Sequence, residues 1–327
     1  MPTTLTLESL YTPIQAELDE VRAKMMELWA EALELVHGKD ISPPRMGGKM
    51  LRPAMTLLAT GALNRGRVRE SVPLATGMEL LHLAALIHDD VVDSSDTRRG
   101  QRSLKAQWDN HTAVLGGDYL MARSINMMSI YDSCAVIVAA VNSVCQMAAG
   151  ELTNFGLSQE GYSRDDCIAL AKQKTASLFA VSCATPTLLH GGAHQESMER
   201  YGMSLGIAFQ LVDDILDLCQ SGEALGKPAC GDVAEGKKTL PLLILRENLD
   251  GDGRQRLDAL TGAGGELEAA DREWIGAMVE RTGAREQTET VAREYAETAR
   301  QALTALPSSP YRDSMAGLVD FVLSRGS

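Results

Sequence analysis

Long stretches of the chain place apolar residues three and four positions apart, which is the spacing of one face of an α-helix. Residues 14–37 follow this period, and Gly38 with Pro43-Pro44 then predicts a connecting loop. Residues 73–92 are almost all apolar, so we expect a helix in the interior of a larger bundle. The same pattern predicts further helices over residues 116–131, 135–152 and 201–219.

Two segments break the pattern. Residues 221–236 and 250–266 are polar and rich in glycine, which predicts loops. The sequence contains no repeat and no low-complexity linker, so we expect a single all-α domain over residues 1–327. Two helical domains divided near Pro186 remain the alternative.

The composition agrees with packed helices, because only 4% of the residues are aromatic. A net charge of −13 argues against a general nucleic-acid binder, which needs a basic face. The 6 cysteines lie far apart and predict free thiols in a reducing compartment. The first residues do not resemble a signal peptide, and we expect no membrane-spanning run. Together these features predict a soluble, cytoplasmic protein.

Two aspartate clusters carry the clearest chemistry. Asp89, Asp90 and Asp93 form one DDxxD pattern, and DDILD at residues 213–217 forms another. Each cluster ends an apolar helical run. Aspartates four residues apart share a helix face, so Asp89 and Asp93 point the same way and repel each other. A bound cation would offset that repulsion at the end of a buried helix.

Magnesium is the cation that fits these clusters. It prefers oxygen ligands and typically binds one or two carboxylates together with substrate phosphates. Thiolates or imidazoles at metal-ligand spacing are missing from the clusters, which disfavours zinc. A single DDxxD is more often a solvated acidic helix end. Two copies in matching apolar surroundings favour a metal-binding function.

Basic residues accompany the clusters in the sequence, and guanidinium and ammonium groups are the usual protein ligands of phosphate. Each one alone would be interpreted as a surface residue. The set as a whole favours an anionic substrate. Its members are Lys49, Arg52, Arg98, Arg99, Lys174, Lys227 and Lys237.

Several ordered motifs between residues 47 and 241 resemble those of the trans-isoprenyl diphosphate synthase (polyprenyl synthetase) family. They are GGKMLRP, ELLHLAALIHDDVVD, RRG, AVLGGDYL, GEL, KTA, GIAFQLVDDILDL and GKPACGDVAEGKKTLP. The resemblance implies a large helical bundle around a central cavity, of the isoprenoid synthase type. It also implies a homodimer.

The resemblance further implies roles for individual residues. Asp89 and Asp93 would hold two Mg²⁺ ions and Asp213 a third, supported by Asp90, Asp214 and Asp217. The allylic diphosphate would be bound by Arg98, Lys174, Gln210, Lys227 and Lys237. Isopentenyl diphosphate would be bound by Lys49, Arg52, His82 and Arg99. Lys174 and Thr175 would lie near the carbocation.

Some positions need separate comment. A lone histidine in an apolar run is more often a core residue, but the surrounding motif favours a binding role for His82. Met50 replaces an arginine that is common in the family. Asn154 stands where the family usually has glutamine, and Cys230 where it usually has glycine. None of these departures removes a predicted metal ligand.

The resemblance implies ionisation of an allylic diphosphate, condensation with isopentenyl diphosphate and loss of a proton. We expect a linear product of twenty carbons or more, because Ala84 and Ala85 before the first cluster leave room for a growing chain. Residues 221–236 could form a lid. A long product suggests at most a transient membrane contact.

Two other functions stay open at this point. A class I terpene cyclase or a head-to-head condensing enzyme shares Mg²⁺ and DDxxD, but needs no separate site for isopentenyl diphosphate. A subunit of a heteromeric prenyl synthase is the other alternative. Such partners typically lack the aspartates that this chain retains.

Overall fold

The long apolar runs form helices, in a computed structural model of the chain. The structure describes residues 6–35, 48–63, 66–93, 95–98, 101–156, 161–219, 229–262 and 267–325. Within these ranges, extended structure is limited to the antiparallel hairpin of β1 (Thr97–Arg98) and β2 (Gln101–Arg102). The prediction of an all-α fold is confirmed.

The chain forms two compact units, each assembled from separate segments. Unit 1 consists of Met1–Val144, Leu178–Gly202 and Arg300–Phe321. Unit 2 consists of Cys145–Ser177, Met203–Ala299 and Val322–Ser327.

The first half of the described chain contributes seven α-helices, and the last of them continues from unit 1 into unit 2. They are α1 (Leu7–Tyr11), α2 (Gln15–Glu34), α3 (Leu51–Leu63), α4 (Val72–Val92), α5 (Leu104–Gln107), α6 (Asn110–Ser129) and α7 (Cys134–Gly156). Short 3-10 turns span Thr12–Ile14 and Val68–Ser71.

The second half adds a π-helical segment and nine more α-helices in the described residues. The π-helix spans Lys172–Ala176. The α-helices are α8 (Arg164–Ala171), α9 (Ser177–Leu189), α10 (Gln195–Cys219), α11 (Gly231–Ala234), α12 (Leu240–Asn248), α13 (Gly251–Leu260), α14 (Ala269–Arg281), α15 (Ala284–Leu303) and α16 (Pro310–Ser324).

Helix α4 is the central helix of unit 1 and packs against α2, α3 and α6. Its proline lies in the first turn, where the missing N–H needs no partner. Leu74, Met78, Leu81, Ala84 and Ile87 are buried at a spacing of three and four residues. The interior helix expected over residues 73–92 is therefore confirmed.

Helices α9 and α10 approach each other closely in unit 1. A Cβ atom on Gly202 would lie 2.5 Å from the Phe179 carbonyl oxygen, so only glycine fits there. Pro186 lies within α9, inside the unit 1 segment Leu178–Gly202, so the chain does not divide at this proline. The single domain over the whole chain stays a prediction.

The loop expected over residues 250–266 is wrong for its first half, because residues 251–260 form α13. Asp250 caps this helix and accepts a hydrogen bond from the Gly253 amide at 2.7 Å. Its side chain satisfies an end group that the helix itself cannot, and Leu257 is buried. A strong cap thus outweighs the low helix propensity of Gly251 and Gly253.

The other glycine-rich segment, residues 221–236, is described only in part. Its residues 221–228 lie outside the described ranges, and residues 231–234 form the one-turn helix α11. Cys230 caps α11 with a left-handed backbone, at φ 58° and ψ 30°.

Among the described residues, two helices are long and apolar enough to cross a membrane by length and composition alone, a test that core helices of soluble proteins also pass. They are Val68–Val92, which is 61% buried, and Cys134–Asn154, which is 22% buried. The first belongs to the core of unit 1. The second leaves much of its apolar surface exposed.

Candidate active site

The first aspartate cluster lies at the C-terminal end of α4, as predicted. Asp90 is buried, whereas Asp89 and Asp93 are half-buried. The Asp93 amide donates to the Asp89 carbonyl at 2.8 Å, so the helical path continues through Asp93. This places Asp89 and Asp93 on one face, as their spacing predicts.

His88 attaches this end of α4 to α6. Its Nε2 atom lies 3.1 Å from the Val114 carbonyl oxygen and 3.4 Å from Asp118 Oδ1. A Cβ atom on Gly117 would lie 2.3 Å from the same imidazole nitrogen. Gly117 therefore leaves the space that lets His88 reach α6, which fixes the position of the neighbouring aspartates.

The other predicted residues of α4 lie on two different faces of the helix. His82, Ala85 and Asp89 follow the spacing i, i+3, i+7, and all three are half-buried. Ala84 is fully buried, on the same face as Gly77 and His88, both of which meet α6. Ala85 therefore shares the face of the metal-ligand candidates, and Ala84 belongs to the packing of α4 on α6.

Lys49 and Arg52 flank the start of α3 in unit 1. Tyr11 Oη donates to the Lys49 carbonyl at 2.6 Å, and burial raises the pKa of Tyr11 well above its ordinary value. The Arg52 guanidinium lies 4.8 Å from the centre of the Phe179 ring. Met50 is buried with a φ of 51°, so it points away from solvent at the position where the family usually has an arginine.

Three predicted basic residues cannot be placed in this way. Arg99 and Lys227 lie outside the described residues, and only the backbone of Arg98 is described, in β1.

The second aspartate cluster borders a cavity of about 210 Å³ in unit 2. The cavity brings together candidate metal ligands and candidate phosphate ligands. Its lining includes Lys174, Gln210, Asp213, Asp214, Asp232, Lys237 and Lys238. Lys174, Gln210 and Lys237, which the resemblance implied as ligands of one diphosphate, do share one cavity.

Hydrogen bonds join Thr175 to Gln210 and Asp214, two residues that line this cavity. Thr175 Oγ1 donates to Gln210 Oε1 at 2.5 Å, and Gln210 Nε2 donates to Asp214 Oδ1 at 2.7 Å. Burial raises the pKa of Asp214 well above its ordinary value, and the charge of Asp232 raises the pKa further. Among the described residues that shift this pKa, none carries a positive charge.

The π-helix presents Lys174 to the cavity and connects to its lining through the bond from Thr175 to Gln210, and π-helical turns are frequent at functional sites. Lys174 Nζ forms an ion pair with Glu151 Oε2 at 2.5 Å. A Cβ atom on Gly150 would lie 2.9 Å from the Gln173 side chain, so glycine allows α7 to approach the π-helix closely.

Helix α11 holds a further acidic residue, Asp232, against the second cluster. Its amide donates to Asp217 Oδ2 at 3.0 Å, and the Cys230 amide donates to the Asp217 carbonyl at 2.8 Å. Lys237 Nζ lies 3.6 Å from Asp232 Oδ1 and also pairs with Glu235. Asp217 therefore positions α11 in addition to belonging to the DDxxD cluster.

Arg325, at the C-terminal end of unit 2, supplies a positive charge to the second cluster. Its Nη2 atom lies 2.6 Å from Asp213 Oδ1, an ion pair that is not aligned as a hydrogen bond. The guanidinium also lies 4.9 Å from the centre of the Phe209 ring. The positively charged Arg325 guanidinium therefore lies beside the Asp213 carboxylate, which was expected to bind Mg²⁺.

The donor set fits a hard divalent cation. The carboxylates of both clusters are oxygen ligands, and the pKa of Asp214 is raised first by burial and then by the charge of Asp232. Within the described ranges, no three side chains of His, Cys, Asp or Glu converge on one point. Asp89 with Asp93 in the first cluster, and Asp213 in the second, are the carboxylates that would hold such an ion.

The sequence analysis did not identify four residues of these sites. Glu151 and Asp232 lie inside motifs that it quoted, GEL and CGDVAEG, so their motif positions were a usable signal. Tyr11 and Arg325 lie far from the motifs in sequence. Their contacts with Lys49 and Asp213 arise only from the folded chain.

Comparisons with known proteins identify the family of the chain. The chain is 35% identical over 281 residues to the all-trans-nonaprenyl-diphosphate synthase (geranyl-diphosphate specific) of Rhodobacter capsulatus, covering 85% of this chain and 86% of the relative. It is 32% identical to the short chain isoprenyl diphosphate synthase of Methanothermobacter thermautotrophicus, covering 85% and 87%.

A solved structure is also similar over the full length of both chains. The polyprenyl synthase from Caulobacter crescentus CB15, complexed with calcium and isoprenyl diphosphate, superposes with a TM-score of 0.89 at 29% identity. Coverage is 100% of each chain. The sequence profile described as polyprenyl synthetase matches residues 43–278. The chain therefore belongs to the polyprenyl synthetase family.

Proposed function

We propose that this chain is a trans-prenyltransferase that joins an allylic diphosphate to isopentenyl diphosphate and releases a linear all-trans polyprenyl diphosphate. One observation supports this function above the others. The cavity of unit 2 combines aspartates suited to a divalent cation with lysines suited to a diphosphate. A leaving diphosphate needs both kinds of group, because its departure creates negative charge.

The residues of this cavity would bind and activate the allylic substrate. Lys174, Lys237 and Gln210 would bind the diphosphate, joined by Arg98 and Lys227, whereas Arg99 would contribute to binding isopentenyl diphosphate. The side chains of these last three residues are not described. Mg²⁺ would neutralise the leaving diphosphate while held by Asp89 and Asp93 as two ions and by Asp213 as a third. Asp90, Asp214 and Asp217 would support these ligands.

The π-helix would serve the reacting carbon. Thr175, held by Gln210, would direct its hydroxyl oxygen toward the positive charge that forms when the C1–O bond breaks. Lys174 would remain on the diphosphate side, because Glu151 fixes its ammonium group. The double bond of isopentenyl diphosphate would then attack C1, and transfer of a proton to the departed diphosphate would restore an allylic diphosphate.

Unit 1 would bind the second substrate. Lys49 and Arg52 offer an ammonium and a guanidinium at the start of α3, and His82 adds an imidazole from α4. The tether from Tyr11 and the contact with Phe179 support this assignment, because both hold the cationic residues in place.

We infer a product of twenty carbons or more. Ala85 lies one helical turn before Asp89 on the same half-buried face, and its small side chain leaves space beside the candidate metal ligands. Ala84 would act with it through the packing of α4 on α6. The name of the nonaprenyl relative also favours a long product.

We infer that the active form is a homodimer. Val114 and Leu115 on α6, and Val138 and Val141 on α7, are exposed apolar side chains within unit 1. Apolar surface of this kind commonly marks an interface. Light scattering coupled to size-exclusion chromatography should give about twice the monomer mass; a monomer at micromolar concentration would oppose this inference.

We further infer a cytoplasmic protein whose two units act as one domain, without nucleic-acid partners and with at most transient membrane contact by the product. All six cysteines are free thiols, which suits a reducing compartment. The family profile at residues 43–278 includes segments of both units, which supports one functional domain.

Product analysis tests the proposed function. The purified chain is incubated with Mg²⁺, labelled isopentenyl diphosphate and either geranyl or farnesyl diphosphate, and the products are sized by chromatography. We expect elongated linear diphosphates, and none when EDTA removes the metal. Cyclic hydrocarbons would support a terpene cyclase instead. Turnover only after addition of a second, different chain would support a heteromeric synthase.

A further inference from the structure

Three lysines line the cavity of unit 2, and two of them have carboxylate partners. Lys174 pairs with Glu151 at 2.5 Å, and Lys237 lies 3.6 Å from Asp232. Lys238 lines the same cavity but forms no ion pair with any described residue. Of the three lysine ammonium groups that line the cavity, that of Lys238 is therefore the one that is not paired with a described carboxylate.

The hydrogen bonding of Lys238 leaves donors for a ligand. Its Nζ atom donates to the Asn154 carbonyl oxygen at 3.1 Å. This carbonyl lies in the last turn of α7, where the backbone oxygens have no partner within the helix. A lysine ammonium has three N–H donors, so one such bond leaves two for another acceptor.

The surroundings of Lys238 make an anion favourable. Partial burial lowers the pKa of Lys238, because the charged form loses water without gaining a counter-ion. A phosphate oxygen in the cavity would supply that counter-ion. The contact with Asn154 would meanwhile hold the ammonium at the cavity wall, so little ordering would be needed on binding.

We propose that Lys238 is a further ligand of the allylic diphosphate, acting beside Lys174 and Lys237 in the cavity of unit 2. This inference rests on the proposed function, because that function places the diphosphate there. It extends the set implied by the motifs, which included Lys237 but not the next residue.

A purely structural role is the competing explanation. A cation at the C-terminal end of α7 can stabilise that helix by itself. Such a role predicts that removing the ammonium lowers the stability of the free protein. A ligand role predicts a selective loss of affinity for one substrate. The two predictions separate in one set of variants.

The experiment uses the full chain as wild type, Lys238→Met, Lys238→Arg and the control Lys172→Met. Lys172 is an exposed residue of the π-helix that carries Lys174, but it is not part of the cavity lining. The probe is farnesyl thiolodiphosphate with Mg²⁺, measured by isothermal titration calorimetry. Thermal unfolding and the KM values of both substrates are measured in parallel.

We expect Lys238→Met to weaken thiolodiphosphate binding roughly tenfold, the size expected for one charge-assisted hydrogen bond. The KM of the allylic substrate should rise in step while the KM of isopentenyl diphosphate stays the same. Lys238→Arg should restore most of the affinity, because it keeps the charge. Lys172→Met should match the wild type.

Two kinds of result would overturn the inference, and they are distinguishable. If the wild type elongates the primer but Lys238→Met binds the probe equally well, Lys238 is not a ligand. Loss of thermal stability with equal weakening for both substrates would likewise show a structural role only. If the wild type neither binds the probe nor elongates a primer, the proposed function fails together with the role of Lys238.

Discussion

Three aspartates in and beside the second cluster have buried carboxyl groups, and burial disfavours the charged form of a carboxyl group. Asp214, Asp217 and Asp232 are all buried in unit 2. Gln210 and the Asp232 amide donate hydrogen bonds to Asp214 and Asp217, but neither donor carries a full positive charge. Burying these carboxyl groups lowers the stability of the free protein. A bound cation would offset that cost, so the same burial favours cation binding.

Asp214→Asn should stabilise the metal-free protein at pH 8. Burial raises the folded-state pKa above the unfolded value, so the stability linked to the protonated carboxyl is complete below the unfolded pKa and is lost as pH rises. Asparagine stays neutral and can still accept from Gln210. We expect a gain of about 1–2 kcal/mol, or roughly 1.5–3 °C in Tm.

Thermal unfolding in EDTA at pH 4 and pH 8 measures this effect. Wild type and variant should differ little at pH 4, where the buried carboxyl is protonated in the folded state. A variant that is less stable than the wild type at pH 8 would show that the charge of Asp214 is compensated in the folded protein.

Cys230 combines a left-handed backbone with a side chain that is buried against the second cluster. Glycine, the usual residue of the family at this position, adopts that conformation without strain. Comparing Cys230→Gly with Cys230→Ala isolates the backbone effect, because both variants lose the thiol. We expect the glycine variant to be more stable by about 1 kcal/mol in urea unfolding. Equal stability would mean that the segment relaxes in the alanine variant.

Close helix contacts set the geometry at the scale of the elements. Gly202 brings α10 against α9, Gly117 makes room for His88, and Gly150 brings α7 against the π-helix. In each case a side chain would separate an element that carries a candidate site residue from its neighbour. These glycines act through the space that they leave empty.

Gly202→Ala should destabilise the protein by about 2–3 kcal/mol, because its Cβ would collide with backbone atoms that cannot easily move. Gly276→Ala is the matched control. Gly276 is also helical, but its added Cβ would have its nearest contact at 3.7 Å. The control should gain up to about 1 kcal/mol from the better helix propensity of alanine. Similar urea midpoints for the two variants would contradict the steric explanation.

The elements differ in how far the sequence could predict them. The apolar pattern was sufficient for α4, because its nearly all-apolar sequence leaves a clear signal. It failed for α13, where the cap by Asp250 outweighs glycine-rich composition. It could not indicate the π-helix at Lys172–Ala176, because one extra residue in a turn does not change the apolar pattern visibly.

At the scale of the whole molecule, the sequence predicted the chemistry better than the contacts. The two DDxxD clusters lie at helix ends as expected, since the spacing of carboxylates follows from helix geometry. Arg325 beside Asp213 and Lys238 beside Asn154 could not be predicted. Those pairs come from distant parts of the chain, and only tertiary packing brings them together.

Product length offers a test at this scale. Ala85→Phe would place an aromatic ring one turn before Asp89 on the face of the candidate metal ligands. We expect shorter products with initial condensation preserved, measured by sizing labelled products. Ala259→Phe, at an exposed alanine of α13, is the control and should leave product length unchanged. If Ala85→Phe makes products of unchanged length, Ala85 does not determine chain length.

Metal binding by both aspartate clusters around one substrate is the central claim. It can be tested by a crystal structure of the chain with Mn²⁺, farnesyl thiolodiphosphate and isopentenyl diphosphate, using anomalous scattering to locate the manganese. The account predicts manganese at Asp89 and Asp93 and also at Asp213, with oxygens of the same thiolodiphosphate bound at both places. Manganese at one cluster alone, or a thiolodiphosphate bound away from both, would contradict it.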